Sequence, residues 1–246
     1  MKFECIKCGI CCKNLIGKIK ESSLLASGEH LNAVFLAQPI DKIGLSVFDW
    51  EKEIMEEEGR KLDIQVRFLP LHFLVDKIDE KAVVLSWMLS HINCPFLKND
   101  ECLIYEKRPL ICRSYPITFL EIKKSFDGFD IDIEISKECP KIVEIEFDEN
   151  VYFDEFVRKY YEIYGETFKD AVLLFLVNSF VRNLIKILIE KDLIFVGRIE
   201  EINVKKMFEQ KVGFVDYLEE NKILGRNELK ESLKNLERIA ERIVKG

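Results

Sequence analysis

Histidine and glutamine are scarce in this chain, with three of each among 246 residues. There is no His-Glu-x-x-His pair to hold a catalytic zinc on a helix. There is no phosphate loop and no Gly-x-Gly-x-x-Gly opening a helix, so the common nucleotide sites are excluded. The Cys-x3-Cys-x2-Cys run of the usual radical enzymes is also missing. The net charge is −7, which gives no support for a nucleic-acid-binding face. No long hydrophobic run is present. The most apolar stretch, residues 171–181 (AVLLFLVNSFV), is too short to span a bilayer and contains Asn178 and Ser179, so it reads as a buried helix. An apolar leader segment is missing as well: the first stretch carries charges and four cysteines instead. The expected location is therefore the reducing cytoplasm, with no membrane partner.

What the chain does have is cysteine. Cys5, Cys8, Cys11, Cys12, Cys94, Cys102, Cys112 and Cys139 make eight, and none follows residue 139. In a reducing compartment that number favours metal over disulfides. The composition leans toward a thermophilic source, and disulfides do occur inside some hyperthermophile cells, so pairing of the thiols stays as the lesser alternative.

Hydrophobic residues make up 48% and charged residues 33%, as in a folded globular chain. The expected fold class is α+β: an irregular Cys-rich metal-binding part over 1–145 with short antiparallel strands, then a helical part over 146–246. The two parts lack a Gly/Ser- or Pro-rich linker and are able to pack as one unit. Ser46 reads as an N-cap, with Asp49 at N3. The helix it opens runs to about Arg60, with Val47, Trp50, Ile54 and Met55 as its buried stripe. Residues 66–76 and 82–88 are β-rich and expected to pair. Residues 117–123 and 129–135 are two further strands around an Asp127-Gly128 turn. Along the second, Phe129, Ile131, Ile133 and Ile135 alternate with Asp130, Asp132 and Glu134, which predicts one buried and one wet face. From about 152 the period becomes helical, with Phe153, Phe156, Val157 and Tyr160 on one face. A long apolar helix follows over about 166–191. The last helix, about 227–244, carries Leu229, Leu233, Leu236, Ile239 and Ile243 at three- and four-residue spacings, a stripe expected to pack on the protein's own core.

The sharpest feature is Cys5-x2-Cys8-x2-Cys11-Cys12. Two intervening residues let the chain fold back so that successive sulfurs face one point, and such a run supplies three ligands to a cluster in bacterial-type ferredoxins. Those centres take a fourth ligand from a remote Cys-Pro. Two are available, Cys94-Pro95 and Cys139-Pro140. Adjacent side chains diverge, so Cys11 and Cys12 are expected to serve different sites. One partition gives Cys5, Cys8, Cys11 and Cys139 to one centre and Cys12, Cys94, Cys102 and Cys112 to the other; Cys94 and Cys139 are interchangeable in it. Sulfur anions need compensation, and Lys7, Lys13, Arg108 and Arg113 sit beside the cysteines in sequence. Arg108 and Arg113 are the candidate cofactor-binding residues, in a supporting role next to the sulfurs, with pairing to carboxylates as the plainer alternative. His91 lies close to Cys94 but is set aside, as are His30 and His72.

Taken together, Cys5-Ile6-Lys7-Cys8-Gly9-Ile10-Cys11-Cys12, Cys94-Pro95-Phe96-Leu97, Cys102-Leu103-Ile104-Tyr105-Glu106, Arg108-Pro109, Cys112-Arg113-Ser114-Tyr115-Pro116 and Cys139 resemble the CxxCxxCC (YkgJ-type) cysteine-cluster family, a zinc- or iron-chelating domain. The resemblance covers roughly residues 1–140. It implies a [4Fe–4S] cluster and/or zinc, and an Fe–S oxidoreductase acting with a redox partner. A flagellin lysine N-methylase is similar in its cysteine motif, which adds a protein-modifying enzyme with a protein substrate to the alternatives. A structural zinc protein is the other. No methyl-donor fingerprint accompanies the motif.

Overall fold

The computed structural model describes residues 2–16, 32–125, 128–145, 152–198 and 204–246. The strands in chain order are β1 (Phe35–Leu36), β2 (Ser46–Phe48), β3 (Phe68–Val75), β4 (Ala82–Leu89), β5 (Leu97–Lys98), β6 (Glu101–Cys102), β7 (Ile117–Ser125), β8 (Gly128–Ile135) and β9 (Val212–Gly213). The helices are α1 (Asp49–Leu62), α2 (Leu110–Arg113), α3 (Phe153–Tyr164), α4 (Glu166–Glu190), α5 (Val204–Glu209), α6 (Phe214–Glu220) and α7 (Arg226–Lys245). The fold is α+β, with most strands early and the long helices late.

The chain divides into two compact units. One takes Met1–Lys13, Leu97–Val177 and Glu231–Gly246; the other takes Asn14–Phe96 and Asn178–Lys230. Each draws on both sides of residue 145, so the units interleave along the chain rather than follow one another.

The second unit is built on an antiparallel sheet ordered β1-β3-β4-β2, with β9 added parallel to β4. All eight residues of β4 are buried. Both faces of the strand are therefore covered, which is why AVVLSWML is a continuous apolar run rather than an alternating one. The expected pairing of the 66–76 and 82–88 runs is β3 against β4, with Val75 opposite Ala82 and Phe68 opposite Leu89. Ser46 is not a helix cap. It pairs with Met88 as the first residue of β2, and sheet pairing displaces the helix start to Asp49. The cap is instead made by Glu51, whose Oε2 accepts the Phe48 N–H at 3.0 Å. The helix stripe shifts accordingly: Met55 is buried but Ile54 is exposed. Asp49 is buried, and accepts Trp87 Nε1–H at 2.7 Å and the Val215 N–H at 3.1 Å, so one carboxylate ties α1 to β4 and α6.

In the first unit β7 and β8 pair over their whole length, Ser125 opposite Gly128, as the strand pattern predicts. Residue 127 of the expected turn lies outside the described residues. Along β8 Asp132 is exposed, but Glu134 is half-buried like Ile131, Ile133 and Ile135, so the wet face is narrower than alternation suggests. On α3, Phe156, Val157, Tyr160 and Tyr164 are buried; Tyr160 stacks on Phe168 of α4, and Phe156 meets the same ring edge-on. No residue from 167 to 182 of α4 is exposed. By length and composition alone, α4 is long and apolar enough to cross a membrane, since the helix extends well beyond the 171–181 run. On α7 the buried positions are Leu229, Ala240 and Val244, while Ile239 is exposed. The stripe drifts by one residue over the helix because 3.6 residues per turn do not match a strict three–four spacing.

A buried histidine makes the second unit acid-sensitive. His72 on β3 is fully buried, with Nδ1 2.7 Å from Ser86 Oγ on β4 and no hydrogen-bond partner for Nε2 among the described residues. Burial depresses its pKa to about 4 from 6.5. The unfolded chain therefore binds a proton that the folded chain refuses between those values. The stabilisation is complete above pH ~6.5 and is lost as pH falls toward about 4, at roughly 1.4 kcal/mol per pH unit. Urea denaturation across this range, compared with His72→Gln, is expected to show a shallower acid loss in the variant. Parallel pH profiles would contradict the assignment.

Candidate metal centre

The N-terminal segment is pinned at its start by the Phe3 N–H, which donates to Ile163 O at 2.7 Å, while the Phe3 ring packs 5.2 Å from that of Tyr164. The chain then turns sharply around Cys8. Lys7 and Gly9 flank it with φ of 53° and 68°. Gly9 suits the left-handed backbone at low cost, and a Cβ there would lie 2.9 Å from Leu97 Cδ1. Residues Ile10–Cys12 close into one 3-10 turn, with the Cys12 N–H on Gly9 O at 2.9 Å. This turn places Cys11 Sγ and Cys12 Sγ 3.8 Å apart. The two sulfurs are in contact, where adjacency alone predicts divergence.

The loop is held against the β5–β6 hairpin. The two turn residues Asn99 and Asp100 both have positive φ, 52° and 62°, which matches the twist of a two-residue hairpin turn. Asp100 Oδ1 takes Lys13 Nζ at 2.6 Å. Cys102 ends this hairpin opposite Leu97. Its sulfur feels the Cys11 thiol and the Arg108 guanidinium, and receives the backbone N–H of Ile104. Cys139 follows β8, is buried, and receives the Lys141 N–H. It lies within electrostatic reach of Cys8, Cys5 and Cys11.

In the first unit Cys12 thus touches Cys11, Cys102 lies within electrostatic reach of Cys11, and Cys139 within reach of Cys5, Cys8 and Cys11. Cys112 is on α2 of the same unit, and Cys94 belongs to the other. No disulfide joins any of the eight. Among the described residues, no three His, Cys, Asp or Glu side chains are already arranged around one ion.

The gathered thiols are held in their neutral form by one another and by burial. The contact with Cys12, followed by burial, pushes the Cys11 pKa well up, against the pull of Arg108. Burial raises Cys102 and Cys139, and neighbouring thiols raise them further. A metal ion reverses this logic, because it favours each thiolate and releases the protons. The donor set fits a thiophilic metal: several sulfurs, two of them facing backbone N–H groups, with a guanidinium beside them.

The two candidate arginines behave differently. Arg108 stacks on Tyr105 with its Cζ 3.6 Å from the ring centroid, donates Nε–H to Tyr105 O at 2.9 Å, and favours the thiolates of Cys11 and Cys102. Arg113 gives Nε and Nη2 to Asp170 at 3.2 and 2.6 Å. That is the carboxylate pairing that was the plainer alternative. Two residues beside the sulfurs carry no sequence signal of their own. Tyr115 has its pKa pushed up to about 12, mainly by burial and further by Cys139 and Cys11; Tyr164 also feels Cys139. Only their place in the fold reveals them, though Tyr115 lies within the quoted Cys-Arg-Ser-Tyr-Pro run.

Gly9→Ala tests whether this loop is a fixed cradle. A side chain forced into the left-handed region costs about 1–2 kcal/mol, which lowers the melting temperature of a chain this size by roughly 2–8 °C. Metal retained per chain after gel filtration is expected to fall as well. Unchanged melting and metal content would mean that the loop adapts freely.

The comparison with protein families agrees with this geometry. Residues 4–140 match the model of the CxxCxxCC family, described as "Putative zinc- or iron-chelating domain". No curated protein and no solved structure matches the chain. The match covers more than half of the sequence, from the residue before Cys5 to the residue after Cys139, and the chain belongs to the CxxCxxCC family.

Proposed function

We propose that this protein holds an iron–sulfur centre through Cys5, Cys8, Cys11 and Cys139, and that it transfers electrons to or from a partner in a reducing cytoplasm. The observation that carries the reading is the approach of Cys139, which precedes Pro140, to within electrostatic reach of Cys5, Cys8 and Cys11, across more than a hundred residues of sequence. This is the ligand set of a cluster in which each thiolate takes a different iron.

When bound, the cluster supplies one-electron redox chemistry. The chain's own residues do the rest. Cys5 is exposed and gives the partner an edge to approach. Cys139 is buried, and Tyr115 and Tyr164 lie within electrostatic reach of it. Arg108, fixed on Tyr105, offsets thiolate charge at Cys11.

One observation favours a second reading. Four thiolates about 2.3 Å from a tetrahedral zinc lie about 3.8 Å from each other. Cys11 Sγ and Cys12 Sγ are 3.8 Å apart, so the pair is spaced to share one ion. In that case the metal is a staple for an irregular segment, and function lies on another surface.

Metal and acid-labile sulfide content on protein purified without oxygen separates the two. The iron–sulfur reading expects about four irons and four sulfides with absorbance near 400 nm, lost in Cys139→Ser. One or two zincs without sulfide would overturn it in favour of the staple.

A further inference from the structure

Helix α2 holds Cys112 in a single turn, Leu110–Arg113. A helix of that length does not hold itself together, so its orientation must come from tertiary contacts. Leu110 is buried at one end. At the other end, Arg113 makes a two-pronged bond to Asp170, Nε to Oδ2 at 3.2 Å and Nη2 to Oδ1 at 2.6 Å. The Asp170 side chain is only 10% exposed and that of Arg113 32%. Glu237 of α7 stands 3.7 Å from Arg113 Nη2. A planar guanidinium gripped by both oxygens of a carboxylate has its direction fixed as well as its position. A loose surface ion pair does neither.

We infer that the Arg113–Asp170 clamp is a positioning device for Cys112, and that α4, beyond the matched 4–140 segment, thereby holds in place a thiol of the family's cysteine set. The inference rests on Cys112 serving as a metal ligand in addition to the four cysteines proposed above. Arg113 adjoins Cys112 in the same helical turn, so an anchored guanidinium restrains the short backbone segment that carries the thiol. The geometry commits two of the arginine's donors away from the sulfurs. Arg113 therefore acts on the centre through backbone placement, whereas Arg108 acts through charge.

The test is residue-resolved alkylation by iodoacetamide of the full chain, reduced and metal-free, read by mass spectrometry, with metal content and melting temperature measured in parallel. Asp170→Ala leaves a half-buried guanidinium unpaired, so Asp170→Asn is the milder companion should it fail to fold. Either is expected to speed alkylation of Cys112 by about tenfold relative to Cys5, the change that about 1.4 kcal/mol in local opening would produce. Asp170→Glu, which keeps the charge and both oxygens, is expected to restore a rate near that of the parent chain. Equal acceleration at all cysteines, or none at Cys112, would overturn the clamp as a positioning device. A parent chain that carries no metal would overturn the metal-centre reading alone, because the alkylation comparison uses metal-free protein.

Discussion

Thiols gathered into a small volume resist ionising together, because each thiolate formed raises the cost of the next. In the first unit the contact between Cys11 and Cys12, the burial of Cys102 and Cys139, and the proximity of Cys139 to Cys5 and Cys8 all push in that direction. A folded chain tolerates such crowding where a cation converts the repulsion into coordination. The left-handed residues around Cys8, the hairpin under the loop and the Lys13–Asp100 tie serve that end by keeping the sulfurs from drifting apart.

The supports of the site come from separate stretches of sequence. Phe3 is fixed on the end of α3, Cys102 on a two-residue hairpin, Cys139 just beyond β8, and Arg113 on α4. A loop rich in turns has little core of its own, so neighbouring elements must supply its rigidity. The second unit stands on different physics. Its sheet is buried on both faces along β4, and its buried polar groups include Asp49, with two donors, and the His72–Ser86 pair.

Much of this was legible in the sequence, and the exceptions have physical causes. The cysteine spacing, the β3–β4 and β7–β8 pairs and the long helices follow from short-range pattern, and the structure has them. Ser46 misled because a good cap residue also makes an acceptable strand residue, and only the partner strand decides. That the sulfurs of adjacent Cys11 and Cys12 touch was not legible, because side-chain rotamers rather than sequence adjacency decide it. Tyr164 and Asp170 gave no sign at all: their relation to the cysteines exists only once distant segments pack. The interleaving of the two units is of the same kind, since linear composition carries no record of which segments return to which core.

The central claim is that cysteine sulfurs of the first unit hold a metal. X-ray absorption at the iron and zinc edges, on protein purified without oxygen, addresses it most directly. The account predicts a first shell of sulfur alone at about 2.3 Å. A first shell of nitrogen or oxygen at about 2.0–2.2 Å, or an edge with no metal behind it, would contradict it.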